Sequence, residues 1–271
     1  MPRRRSDKGP WFWRGMIALM LGVVFALFAV VAFNQPPSLM ADSSCRMDRK
    51  DPAHTIILID QSDPFNPNDL DWVYEFVDAE ARALPKYGRL TVMTPNAASP
   101  YDPKLVYYAC SSGSAAEANP IFQNPKMIEQ TWQTQFYAPL LENVEAALTD
   151  TRQPSSPLVE AVYSIADRAD FQAGETNRRI VLVSDLMQHS EGFSFYRLGA
   201  DYEAYLDSDL AKMSPALENV DVVARIVPRQ IYDLPMADVK AFWRAYFSEA
   251  GADYVAFGAF FPTETKDPKA K

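Results

Sequence analysis

Two kinds of hydrophobic pattern divide the chain. Residues 15–33 (GMIALMLGVVFALFAVVAF) run without a charge. At ~1.5 Å rise per residue such a helix is about 28 Å long, close to the ~30 Å hydrocarbon core of a bilayer. Trp11, Phe12 and Trp13 precede it, where interfacial aromatics sit. After His54 the pattern changes to short β-branched runs alternating with amphipathic stretches. Residues 55–59 (TIILI) and 180–184 (IVLVS) are continuous apolar runs, the mark of strands buried on both faces. Further strands are expected at 89–93, 105–110, 220–227 and 254–257. Helical spacing predicts helices at 68–84, at 127–148 with an interruption or bend at Pro139, and at 157–168, 201–213 and 236–250, the last closed by Gly251.

This alternation predicts an α/β fold: a doubly wound, mostly parallel sheet flanked by helices, preceded by a single N-terminal transmembrane helix. Residues 94–104 are too few for a helical crossover, so the second and third strands are expected to be antiparallel, giving one antiparallel edge strand. The expected organisation is a basic cytoplasmic flank (1–14), a transmembrane helix (15–33), a juxtamembrane tether (34–53), one α/β domain (54–262) and a charged tail (263–271).

Charge sharpens the division. The 271 residues carry a net −9, but the first 14 hold five bases against one acid. Subtracting that +4 from −9 leaves −13 on the remainder. The basic flank is expected to stay cytoplasmic, which places the rest outside. In a bacterial cell that means a single-pass protein of the inner (cytoplasmic) membrane with a periplasmic domain. The alternative is a cleaved signal peptide, with 30–32 (VVA) as the small-residue site, and a soluble secreted domain. The long apolar run and the bulky aromatics before it favour the anchor. An exterior of −13 excludes nucleic acid as a partner and suits a protein or a cation.

Candidate chemistry collects at the carboxyl ends of the strands, where open α/β sheets bind ligands. The first strand ends at Asp60, followed by Gln61, Ser62, Asp63 and Pro64; the strand at 180–184 ends in Ser184 and Asp185; Ser155 and Ser156 precede the helix at Pro157. A few carboxylates with hydroxyls from separate loops are what a hard divalent cation takes. The same residues also make helix caps and turns.

In these loops the chain resembles a von Willebrand factor A-like domain. Such domains carry a metal-ion-dependent adhesion site built from Asp-x-Ser-x-Ser, a Thr before a helix, and a later Asp. The resemblance spans about 55–257 and implies Asp60, Ser62, Ser156 and Asp185 as ligands of Mg2+ (or Mn2+ or Ca2+), with a partner carboxylate completing the ion's shell. The chain departs from the pattern at Pro64, where the second serine belongs, at Ser156 for Thr, and at Leu186, where Gly commonly follows the last Asp. Asp63 stands beside the lost serine. The implied function is protein binding or complex assembly, through a cation or through a vestigial site that still forms a binding surface. The alternative is a divalent-metal hydrolase using Asp60 and Asp185.

Other features bear on the same question. His54 and His189 fall at opposite edges of the expected sheet and cannot share a metal. No Gly-x-Ser-x-Gly elbow and no glycine-rich phosphate loop occurs, and Ser62 stands where an aspartyl-nucleophile phosphatase needs a second Asp. Cys45 and Cys110 are expected to pair outside the cytoplasm, closing a loop of about 65 residues at the edge opposite Asp60; the alternative is two separate thiols. The loop at 187–199 offers Phe193, Phe195 and Tyr196, with Asp63 nearby, as a partner surface, unless the aromatics pack beneath their own loop. The loop at 111–125 is a second surface. Phe242, Trp243, Tyr246 and Phe247 recur at helical spacing and are expected in the core.

Overall fold

The computed structural model describes residues 9–33, 37–119, 123–149, 153–172, 177–227, 229 and 234–259. Most of the basic flank, part of the 111–125 loop and the charged tail lie outside them. The chain divides into two units, Met1–Ser38 and Leu39–Lys271. In the first, helix α1 runs Pro10–Phe33. Its segment Trp11–Ala29, with mean hydropathy 2.0, is long and apolar enough to cross a membrane.

The second unit is a six-stranded sheet in the order β3-β2-β1-β4-β5-β6. The strands are β1 (His54–Ile59), β2 (Arg89–Thr94), β3 (Lys104–Cys110), β4 (Arg178–Ser184), β5 (Val220–Ile226) and β6 (Tyr254–Ala259). Every pairing is parallel except β2 with β3, the antiparallel edge that the short turn requires. The period of two sends alternate side chains to opposite faces. Ile57 and Ile59 join the core under α2 (Pro67–Ala83), α3 (Pro125–Trp132) and α4 (Ala138–Thr149). Ile56 and Leu58 join the core under α5 (Leu158–Ala166) and α9 (Met236–Glu249), between which the chain forms the short helices α6 (Ala169–Gln172), α7 (Phe195–Leu198) and α8 (Tyr202–Leu206). Phe242, Trp243, Tyr246 and Phe247 all lie in that second core.

Local sequence explains where the elements start and stop. Asn66 caps α2 in a reciprocal box with Asp69, ahead of Pro67. Gly251, at φ +84°, turns the chain after α9 in the left-handed region. The helical stretch at 127–148 is not broken by Pro139. Instead α3 and α4 join through one wide turn, Gln133–Tyr137, with the Ala138 N–H reaching back to the Gln133 carbonyl. The wider turn makes room for a ring that would strike a carbonyl of a regular helix. The helix expected at 201–213 is corrected to α8 (Tyr202–Leu206) and a separate turn, Asp209–Lys212. Between them the Ser208 hydroxyl donates to the Tyr205 carbonyl at 2.6 Å, a local bond that competes with helix.

The disulfide Cys45–Cys110 closes the amino edge of the sheet, with Cα atoms 4.8 Å apart. Cys110 pairs in register with Arg89 at the start of β2. The Cys110 N–H donates to the Ser43 carbonyl at 2.9 Å, so from Leu39 onward the segment before β1 folds onto the domain.

His54 sits at this same edge, 2% exposed, with Nε2 2.9 Å from the Thr91 hydroxyl. Burial, and after it the charge of Arg89, pushes its pKa down to about 4, against the opposing pull of Asp170. A histidine with a depressed folded pKa binds fewer protons than the unfolded chain, so stability is lost as pH falls from ~6.5 toward ~4. Urea unfolding of the full chain at pH 7.0 and 4.5 should show that loss, and His54→Phe should remove about 2 kcal/mol of it. Burial raises Asp51 and Asp60, which act in the opposite sense, so the comparison with the variant carries the test. Equal losses in both proteins would refute the assignment to His54.

Candidate functional site

Asp60, Ser62, Ser156 and Asp185 do converge at the carboxyl edge, joined by Ser184. The Asp60 N–H extends the ladder to the Val183 carbonyl, which fixes the aspartate at the end of β1. Its Oδ2 accepts from the hydroxyls of Ser156 at 2.7 Å and Ser184 at 2.9 Å, and its Oδ1 accepts from the Ser62 N–H at 3.0 Å. The carboxyl is buried, and burial raises its pKa against the lowering effect of these bonds. Asp185 Oδ1 accepts from the Met187 N–H at 2.9 Å. The loop after β4 is pinned to Ser156 by reciprocal backbone bonds between Ser156 and His189, both 2.8 Å.

Leu186 occupies a left-handed conformation, φ +66°, where a glycine would be unstrained. Three contacts hold it: its N–H donates to Ser184 Oγ at 2.9 Å, its carbonyl accepts from Trp243 Nε1 at 2.8 Å, and its side chain is fully buried. Burying a leucine is worth about 2 kcal/mol, enough to offset strain of about 1–2 kcal/mol.

Beneath the loop lies a polar core that the sequence did not disclose. Gln188, fully buried, accepts the Val159 N–H at the start of α5 through Oε1 at 2.9 Å. Its Nε2 donates to Glu160 Oε2 at 3.0 Å and to Ser190 Oγ at 3.1 Å. Glu160, alone among apolar neighbours in 157–162 (PLVEAV), was the one available signal.

The expected aromatic surface is corrected. Phe193 and Phe195 are buried against Phe242, the first stacked at a centroid distance of 5.8 Å and the second edge-to-face at 4.8 Å. Tyr196 is 54% exposed, its ring edge-to-face with His189 at 5.2 Å. His54 and His189 lie at opposite ends of the sheet, as expected.

Two concavities meet at this edge. One, of about 430 Å3, is lined by Ser62, Asp63, Gln153, Ser156, His189 and Tyr196, among others. Gln153 is a rim strut, accepting from the Ala97 N–H at 2.6 Å and donating to the Pro95 carbonyl at 2.7 Å. The other, of about 10 Å3, lies between Asp60, Asp63, Asp185 and Arg229. Arg229 reaches over from the segment after β5, bonding Asp69 at 2.9 Å and covering the Phe65 ring at 5.7 Å. A third recess, about 450 Å3, opens beside α2 at the amino edge, far from this chemistry. Its arginines are engaged, Arg179 with Glu80 at 3.0 Å and Arg225 over the Phe76 ring at 5.2 Å.

No family model and no curated protein matches the chain. Among solved structures it is similar to a von Willebrand factor type A protein from Catenulispora acidiphila, at 12% identity and TM-score 0.44, over 77% of this chain and 38% of that one. It is also similar to the ArnB paralog VWA2 from Sulfolobus acidocaldarius, at 13% and 0.41, over 77% and 41%. A third is the pilus adhesin SpaC from Lactobacillus rhamnosus GG, at 8% and 0.39, over 83% and 29%. The likeness is one of fold. The chain spans less than half the length of each.

The residues present do not fit a hydrated divalent ion. Such ions hold six or more oxygens, and Mg2+ keeps several waters. The gap beside Asp60 has room for about one water, and a guanidinium lines it. Pro64 withholds a hydroxyl, and both Asp60 oxygens are bonded to neighbouring residues. Among the described residues no three His, Cys, Asp or Glu side chains are grouped to hold a metal.

Proposed function

We propose that this is a membrane-anchored, extracytoplasmic von Willebrand factor A-like module that binds a protein partner at its carboxyl edge without a metal. The observation that carries the reading is the concavity of about 430 Å3 formed by three separate loops where open α/β sheets take ligands. Its supports are turned inward: Ser156 bonds Asp60, and Gln153 ties the rim to the turn after β2. A rigidly held, partly polar recess presents a preformed surface to a partner. The apolar α1 supports the anchor, and the basic flank before it supports an exported domain after it.

The test uses the full chain in its own membranes, with a photoreactive residue placed at Tyr196 or, as a control, at exposed Lys86 on the amino edge. Position 196 should yield the same protein adduct with EDTA or Mg2+, and position 86 should not. The protein should also stay in the membrane pellet after an alkaline wash. Adducts that require Mg2+ would restore the cation, and adducts from position 86 alone would move the interface to the other edge. A soluble, N-terminally trimmed chain would replace the anchor with a signal peptide.

A further inference from the structure

We infer that the residue this edge receives from its partner is basic, a lysine or arginine, reversing the polarity that a metal site imposes. The inference rests on the reading of the carboxyl edge as the binding edge. A bound cation would call for a partner carboxylate. The gap beside Asp60 is closed by its own hydrogen bonds and by Arg229, and among the described residues no lysine or arginine lines the larger recess. Arg229 lines the small gap, not the recess of about 430 Å3, and its guanidinium is bonded to Asp69 at 2.9 Å.

What the recess does present suits a cation. Among the described residues of its lining Asp63 is the one carboxylate, and serine hydroxyls stand beside it. Tyr196, on the opposite loop, is exposed and adds an aromatic ring, the partner that a guanidinium or ammonium takes in cation–π contact. Met187 supplies an apolar surface for the aliphatic stem of a long basic side chain. The volume is that of a small-ligand site, enough for one long side chain and the main chain that carries it. A net −13 outside the first 14 residues would draw a basic segment toward the domain before contact.

The experiment pans a random heptapeptide display library against the full chain in nanodiscs, in EDTA and in Mg2+, with Asp63→Asn and Tyr196→Ser as comparison baits. Tyr196→Ser alters an exposed side chain and leaves the fold intact, so it keeps the test open if Asp63→Asn is poorly folded. Enriched peptides should share an Arg or Lys at one fixed position. They should bind equally in EDTA and Mg2+, and bind about tenfold more weakly to each variant. Three results overturn the inference. Peptides with a fixed acidic residue that need Mg2+ would restore the metal polarity while keeping the edge as the binding site. Basic peptides indifferent to both variants would show general attraction to an acidic surface. No enrichment on any bait would remove the docking recess itself, and the proposed function with it.

Discussion

Replacing Gln188 with Ala is expected to lower the stability of the domain by about 3–4 kcal/mol. The reason lies in how many groups one amide satisfies. Gln188 caps the Val159 N–H, donates to Glu160 and donates to Ser190, all away from solvent. Truncation leaves a buried N–H without its acceptor, at about 1–3 kcal/mol, and takes a donor from a buried carboxylate, at about 1.5–3 kcal/mol. For a domain of this size the melting temperature should fall by about 8–14 °C. Differential scanning calorimetry of the full chain in detergent measures it, and a fall of less than about 2 °C would show that the network is not structural. Gln188→Glu adds a second carboxylate about 3 Å from the first, so its deficit should shrink as pH falls and one of the pair takes a proton.

The second large effect is covalent. Replacing both Cys45 and Cys110 with alanine should cost about 3–4 kcal/mol, mostly by freeing the unfolded chain from a loop with sequence separation 65. The loss has a local signature as well. The segment from Leu39 is fastened to the end of β3 by the bridge and by the bond from Cys110 to Ser43. Hydrogen exchange should therefore quicken over 39–50 and 104–111 and stay unchanged around Asp60. Uniform quickening would point to a global role instead, and a cost below about 1 kcal/mol would contradict the loop argument.

The architecture was legible because its signals are short-range and strong. Runs such as 55–59 and 180–184 have no polar position to face water, so they read as central strands. The brief link at 94–104 leaves no room for a crossover, which fixed the antiparallel edge. Asp60, Ser156 and Asp185 could be placed together because strand order puts all their loops at one edge. What was not legible depends on packing between distant segments. Phe193 and Phe195 look like Tyr196 in sequence, and only the position of α9 decides which rings are covered. Gln188 carries no periodic signal, and its role depends on where Val159, Glu160 and Ser190 come to lie around it. Arg229 belongs to no motif, yet it lines the gap where a cation was expected.

The bridge and the recess stand at opposite ends of the same parallel strands. A pull applied between a partner seated at the recess and the chain entering beside Cys45 therefore runs along β1 rather than across it. The hydrogen bonds joining β1 to β2 and β4 are then loaded in shear, all at once, instead of being unzipped one by one. The disulfide divides the tension further, sending part of it into β3 at the sheet's margin. A domain wired this way is suited to transmit mechanical load between its two ends, and force spectroscopy along that axis should find it stiffer than when pulled from β6.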